Sequence, residues 1–449
     1  MAKRKAIAGP HLVRYGFAGD QKFLVGDLLR TYDELVINAR MVAYMAPGLA
    51  LFLTQRAHNK PYFIDPETHI FQHDLEYLQT SSEESETRLK RSVDRLIEWY
   101  GDPIEQNVRE AKHSILPDDF KDGQSRREFC RRVIDFQLNA IAKKVKDTEN
   151  VEYYEFLKEK GVVESSSFTP TLVVAPYFCM DGNTFDNWID VNIECVKDSK
   201  EIASKLGVPM ATEIVITQSV LFDSEKVESL IDKYTALKPE VFLIWVDAFS
   251  EHEVSEGLLD AFVEMLKQLK ASGSHVVNLY GSYFSVMLLH CGIVDGVTHG
   301  LEYGEEKPLV PVGGGIPTAK FYLPALHLRL RREDAIRAVR ALGGFEDVAG
   351  FRKHVCNCWQ CQKTIANDPT QDFGGYLRTK RVNNRDIPYP DTKDNSVKHY
   401  MFCKQSEYGN MKEVLEQLTA AGKLLRRYVG AENADHCEKW ASAIAGLTK

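Results

Sequence analysis

Val241-Phe242-Leu243-Ile244-Trp245-Val246-Asp247 is a run of six apolar residues closed by an acid. A run that short, apolar throughout and rich in β-branched and aromatic side chains, predicts a strand buried on both faces, as in parallel sheets covered by helices. The pattern returns on either side at roughly 30-residue intervals. Upstream lie Thr171-Leu172-Val173-Val174-Ala175 and 211–217; downstream lie 275–279, ending near Tyr280-Gly281, and Gly292-Ile293-Val294-Asp295-Gly296-Val297. Helical segments are expected between them over 187–206, 223–237, 255–271 and 282–290.

An earlier strand completes the picture. In Pro61-Tyr62-Phe63-Ile64-Asp65-Pro66-Glu67-Thr68-His69-Ile70-Phe71-Gln72 a short apolar run ends in Asp, and the following proline turns the chain away from helix. Asp65 reads either as a turn cap or as a carboxylate at a strand's C-terminal mouth, where barrel enzymes keep their chemistry. Acids recurring at strand ends favour a closed TIM-like (β/α)8 barrel over an open sheet. Residues 1–73 would supply the first barrel strands, with a helix over 22–38. The polar stretch 74–165, with helical spacing at Leu89, Val93, Leu96 and Ile97 and no strand signal, reads as a helical insertion. Residues 166–344 would complete the barrel, and 345–449 a C-terminal subdomain. Gly313-Gly314-Gly315 reads as a flexible loop.

Composition sets the limits. The chain has 449 residues, 44% hydrophobic and 27% charged, with no apolar run near the roughly 20 residues of a membrane helix. The start, MAKRKAIAGP, has no apolar signal core, so a cytoplasmic protein with reduced thiols is expected. A net charge of -8 means that any nucleic-acid partner must be held by a local basic patch.

His354-Val355-Cys356-Asn357-Cys358-Trp359-Gln360-Cys361 puts three cysteines inside six residues. Thiols packed so closely point to a soft metal rather than to disulfides, and a tetrahedral structural Zn2+ site needs one further ligand. His399 is the best fourth ligand, with His354 and Cys403 as competitors. Cys130, Cys179, Cys195, Cys291 and Cys437 scatter as ordinary core cysteines do.

C-x-C-x-x-C followed by a helix-borne His, late in an α/β chain, resembles the zinc motif of the tRNA-guanine transglycosylase superfamily. The spacing differs: His399 comes 38 positions after Cys361, where the family has about two dozen, so either an insertion lies between them or another ligand closes the site. The resemblance implies replacement of guanine in tRNA by a 7-deazaguanine through a covalent aspartyl intermediate. Asp65 would be the general base, in a stretch similar to D-S-G-G-F-Q that ends in Phe71-Gln72 but lacks both glycines. Phe71 would stack on the base. Asp295 would be the nucleophile, with Asp247 its rival; Gln218 would bind the base's edge, and Tyr280-Gly281 would stand where the family has Met-Gly.

Two basic clusters flank the zinc unit: Arg329, Arg331, Arg332, Arg337 and Arg340, and Arg378, Lys380, Arg381 and Arg385. They read as phosphate-gripping patches or as solvated surface. The same exchange on DNA is an alternative, as is an accessory nucleic-acid-binding subunit that keeps fold and zinc without catalysis. A homodimer or a modification complex would fit either.

Overall fold

Eight parallel strands follow one another around a single sheet: β1 (His11–Tyr15), β2 (Glu34–Asn38), β3 (Tyr62–Asp65), β4 (Val173–Val174), β5 (Met210–Ile216), β6 (Val241–Val246), β7 (His275–Asn278) and β8 (Gly296–His299). β1 pairs with both β2 and β8, with Leu12 opposite Glu34 and Thr298. The remaining gap, between β3 and β4, is bridged where the Thr171 N–H donates to the Tyr62 carbonyl at 2.8 Å. The result is a nearly closed TIM-like barrel. The computed structural model describes residues 6–57, 60–82, 85–146, 156, 159–161, 169–301, 304–310, 318–382, 385–408 and 414–447.

Side chains alternate across each strand, so the inward set can be read directly. Leu12, Val36, Phe63, Val174, Ala211, Leu243 and Val277 fill the barrel with apolar volume. The outward set, including Val13, Leu35, Ile64, Ile214, Phe242 and Val276, lies under the helices. Each such side chain contributes about 1.5–3 kcal/mol when fully buried. Nearer the strands' C-terminal ends the inward positions turn polar, with Arg14, Asp65 and Glu213 all buried.

The outer helices include α1 (Ala39–Gln55), α2 (Gly123–Lys146), α3 (Phe185–Leu206), α4 (Ser224–Ala236), α5 (Glu256–Ala271) and α6 (Tyr283–His290). α1 kinks at Met45 (φ −128), two residues before Pro47, whose ring and missing N–H disrupt the preceding turn. Within 74–165, expected as an insertion, α2 packs between α1 and α3. The Gln137 side-chain amide donates to the Val174 carbonyl and accepts from its N–H, each at 2.8 Å, which ties α2 to β4.

Two local expectations are corrected. Instead of a helix over 22–38 there are two 3-10 turns, Ala18–Phe23 and Gly26–Arg30, leading into β2; Gly26, at φ +61, breaks the segment. Residues 74–165 also contain an antiparallel hairpin, Gln79–Ser82 with Ser85–Leu89, whose polar sequence has no apolar alternation to announce it.

The C-terminal part packs on the barrel through α7 (Pro390–Glu407), which lies over the two 3-10 turns. Lys22 pairs with Asp394 at 2.5 Å, and the Gln405 amide donates to the Arg30 carbonyl at 3.1 Å. No helix among the described residues is long and apolar enough to cross a membrane. The triple glycine at 313–315 lies outside the described residues.

Candidate active site and metal centre

Asp65, the last residue of β3, sits inside the C-terminal mouth of the barrel. Arg14 on β1 donates to its Oδ2 at 2.7 Å and to Asn38 Oδ1 at 2.7 Å. Tyr177, after β4, donates its hydroxyl to Asp65 Oδ1 at 2.6 Å, and the Glu67 N–H donates to the same oxygen at 3.0 Å. Glu67 takes a left-handed backbone (φ 49), costly for a non-glycine residue and held by its ion pair with Arg40 at 2.8 Å.

Above this layer lie aromatic rings and a lysine. Arg14 Cζ stands 4.5 Å from the Tyr280 ring centroid, and Lys307 Nζ 4.7 Å from that of Trp245. Trp245 and Tyr280 touch at 5.1 Å, and His69 meets Trp245 edge-on at 4.9 Å. Burial, with Arg14 nearby, pushes the Lys307 ammonium down to about 8. Burial alone would raise Glu67, but Arg40 outweighs it and holds the carboxyl down to about 2. Burial and then repulsion from Asp65 push Glu213 well above the usual carboxylate range. Both Glu213 oxygens, Arg14 Nη1, Lys307 Nζ and the Tyr280 hydroxyl are buried without a hydrogen-bond partner.

The candidate site residues separate. Asp247 follows β6 at the mouth, half-buried, its Oδ1 accepting from the Leu309 N–H at 2.7 Å. Asp295 lies at the opposite end of the barrel: it precedes β8, its carboxylate pairs with Lys270 at 2.6 Å and accepts from the Val276 N–H at 2.8 Å. That corrects the expectation that Asp295 is the nucleophile. The residue β8 directs inward is Thr298, opposite Leu12. Phe71 is also corrected: it is fully buried in the outer core, edge-on to Tyr100, and cannot stack on a ligand in the mouth. Gln72 ties two loops together through both backbone groups of Cys179 (2.7 and 3.1 Å). Gln218 donates to the carbonyls of Asp247 and Ala248. Gly281 is a packing position, where a Cβ would lie 2.5 Å from Val297 Cγ1.

At the metal centre, Cys356, Cys358, Cys403 and His399 bring their ligand atoms within 4.8 Å of one another. His399 Nδ1 lies 3.3 Å from Cys358 Sγ, 3.5 Å from Cys403 Sγ and 3.9 Å from Cys356 Sγ. His399 Nε2 is 2.6 Å from the Tyr322 carbonyl, which can only accept, so Nε2 carries the proton and Nδ1 offers its lone pair to the thiols. Phe321 stacks on the ring at 4.4 Å and fixes its plane. Three thiols and one correctly oriented imidazole are the donor set zinc takes in structural sites. Cys403, one helical turn after His399, joins the set expected from sequence. Cys361 stays beside it, 3.3 Å from Nδ1, with the Tyr376 hydroxyl donating to its sulfur at 3.3 Å. His354 is exposed at a helix end, outside the cluster.

The long spacing before His399 is taken up by a turn of helix, Pro369–Asp372, and a hairpin, Thr379–Val382 with Arg385–Pro388. Arg378, Lys380, Arg381 and Arg385 are exposed on or beside that hairpin, Arg378 pairing with Asp391 and Arg381 with Asp386. Arg331, Arg332, Arg337 and Arg340 are exposed as well, whereas Arg329 is held against the Tyr400 ring at 3.6 Å.

No family model and no curated protein matches the chain. Fold and site together define a TIM-like barrel with a Cys3His centre beside it. Sequence reading passed over Arg14, Glu213, Tyr177 and Lys307. For the first two a signal exists: a charge inside an apolar strand, as in His11-Leu12-Val13-Arg14-Tyr15, must point into the barrel and find a partner there.

Proposed function

We propose that the barrel mouth is the catalytic centre of a base-exchange glycosyltransferase acting on nucleic acid, with Asp247 as nucleophile and Asp65 as proton carrier. The observation that supports this reading is the shared end of the barrel: Asp65 ends β3 and Asp247 follows β6, both at the C-terminal end of the strands, where Trp245 and Tyr280 are in contact. Asp247 would attack ribose C1′ as the bond to guanine breaks, forming a glycosyl ester, and the departing base takes up a proton through Asp65. An incoming 7-deazaguanine would lose its ring N–H proton, bond to C1′ and expel the carboxylate. The exposed hairpin basics would grip phosphates of tRNA or DNA. Zinc, held by Cys356, Cys358, Cys403 and His399, would cross-link the C-terminal subdomain and take no part in the exchange.

One observation favours the accessory-subunit reading. Asp65 is saturated by Arg14, Tyr177 and the Glu67 N–H, and β8 presents Thr298 rather than an acid to the mouth. Incubation with labelled tRNA, and separately with DNA, followed by a denaturing gel decides between them. A covalent adduct present in wild type and Asp295→Asn but lost in Asp247→Asn supports exchange and names the polymer. Binding without adduct on either polymer supports the accessory role.

A further inference from the structure

The chain from Arg352 to Lys363, which carries the first cysteines of the metal cluster, holds three cations, Arg352, Lys353 and Lys363, and no acid. All three are exposed, and none forms an ion pair among the described residues. The other basic clusters differ: Arg378 pairs with Asp391, Arg381 with Asp386 and Arg337 with Asp334. Unpaired cations gathered on one exposed stretch make a surface for an anionic partner.

An aromatic ring stands among them. Trp188, Trp245 and Trp440 are buried, whereas Trp359 is 48% exposed. It opens the helical turn Trp359–Thr364, directly after Cys358. Lys363 Nζ lies 5.4 Å from its ring centroid, and the Phe402 ring meets it at 5.5 Å. Arg352 reaches the end of the same turn, donating to the Gln362 carbonyl at 3.4 Å. Lys398 precedes Phe402 by one helical turn and so shares its face of α7. The platform is fixed from below, because Cys356 Sγ accepts from the Cys358 N–H and Cys358 Sγ from the Cys361 N–H, each at 3.4 Å.

The pairing of a ring with unanswered cations narrows the partner. An acidic peptide would meet the cations and leave the indole bare. A second copy of the chain would cover the indole and bring the same cations against each other. A nucleic-acid duplex offers phosphates, but its bases are already stacked on one another. A single strand supplies both parts, phosphates along its backbone and a flat, unpaired base for the indole.

We infer that Trp359 is a stacking platform for an unpaired base of single-stranded nucleic acid, with Arg352, Lys353 and Lys363 neutralising the flanking phosphates. The partner class follows from this surface, which lies on the metal knuckle and not in the barrel mouth, so the inference adds a contact to the base-exchange reading without resting on it.

Fluorescence anisotropy of the full chain with labelled oligo(U) and oligo(dT) of about 12 nucleotides, and with a duplex of the same length, tests it. Trp359→Ala should weaken single-strand binding at least about tenfold and leave duplex binding within about twofold of wild type. Trp359→Phe, which keeps a ring, should stay within about threefold on the single strand. Lys363→Gln should lower the slope of log affinity against log salt by about 0.7, the share of one phosphate contact. Zinc content and melting temperature should match wild type in all three variants. No single-strand binding by wild type, an affinity unchanged in Trp359→Ala, or equal losses on single strand and duplex overturns the proposal. Where Trp359→Ala fails to fold, an unchanged salt slope in Lys363→Gln overturns it instead. Trp359-dependent binding without a covalent adduct would keep the platform and sink the exchange; an adduct with Trp359-independent binding would do the reverse.

Discussion

His11 on β1 and His299 on β8 face each other through their Nε2 atoms at 2.6 Å, buried between adjoining barrel strands. His299 Nδ1 lies 2.8 Å from the Gly300 carbonyl and must donate to it, so its neutral ring presents the Nε2 lone pair to His11. Tyr408 stacks on His11 at 4.3 Å and the Tyr400 ring meets His299 edge-on, which places the pair under α7 and the residue that follows it.

Acid should loosen this seam. Burial, then each other's charge and that of Lys404, hold His11 well below 6.5; burial and Lys404 hold His299 down to about 4. Lys60 bears on His11 and Arg329 on His299 in the same direction, while Glu305 opposes for His299. Both rings are neutral when folded and bind protons when unfolded, so their stabilisation is full above pH 6.5 and is lost as pH falls towards 4. Each imidazole contributes about 1.4 kcal/mol per pH unit across that window. His252, held near 4, adds in the same sense; Glu34 and Glu251, pushed up by burial, oppose. Urea denaturation at pH 7, 6 and 5 should show a pH slope shallower by about 1 kcal/mol per unit in His299→Gln than in wild type; equal slopes would refute the assignment.

The metal centre makes a separate prediction. The purified chain should carry one zinc, and Cys358→Ser should lose it and melt more than about 10 °C lower, given the size of structural-zinc binding energies. Cys403 belongs to the set whose ligand atoms all lie within 4.8 Å of one another, whereas the Cys361 sulfur, although 3.3 Å from His399 Nδ1, accepts from the Tyr376 hydroxyl. Cys403→Ser should therefore lose zinc and Cys361→Ser keep it; the opposite result would restore the ligand set read from sequence.

The two ends of the barrel should respond differently to loss of an ion pair. Arg14→Met leaves Asp65 buried without its cation and should cost about 3–5 kcal/mol in a denaturant melt. Asp295→Asn removes a partly exposed pair, with Lys270 31% and Asp295 25% exposed, and should cost no more than about 1 kcal/mol. A larger loss for Asp295→Asn would mean that the pair at the barrel's base is the more important one.

The barrel was legible because its strands from Thr171 onward are apolar throughout, a pattern set by burial on both faces. Asp65 was found at its strand end for the same reason. Asp295 was misplaced because an acid beside a glycine next to a strand looks alike at either end, and only the start of β8 at Gly296 shows which end it occupies. Phe71 failed on direction: a 3-10 turn over Thr68–Gln72 rotates it into the outer core while His69 faces the mouth. Cys403 was readable as a competitor, since i and i+4 share a helix face, but choosing it over Cys361 required the fold of the hairpin between them. Lys307 had no sequence signal, because it lies in a loop after β8.

The pairing of β1 with β8 also sets an order of assembly. His11 leaves the ribosome 288 residues ahead of His299, the partner it touches. β1 therefore has one of its two neighbouring strands missing until most of the chain has been made. Closure of the ring is a late event, and the helix that covers its seam, together with the cysteine and histidine of the candidate metal cluster on it, is translated later still. In a nascent chain stalled before about residue 300, that edge of β1 is open for pairing with another chain.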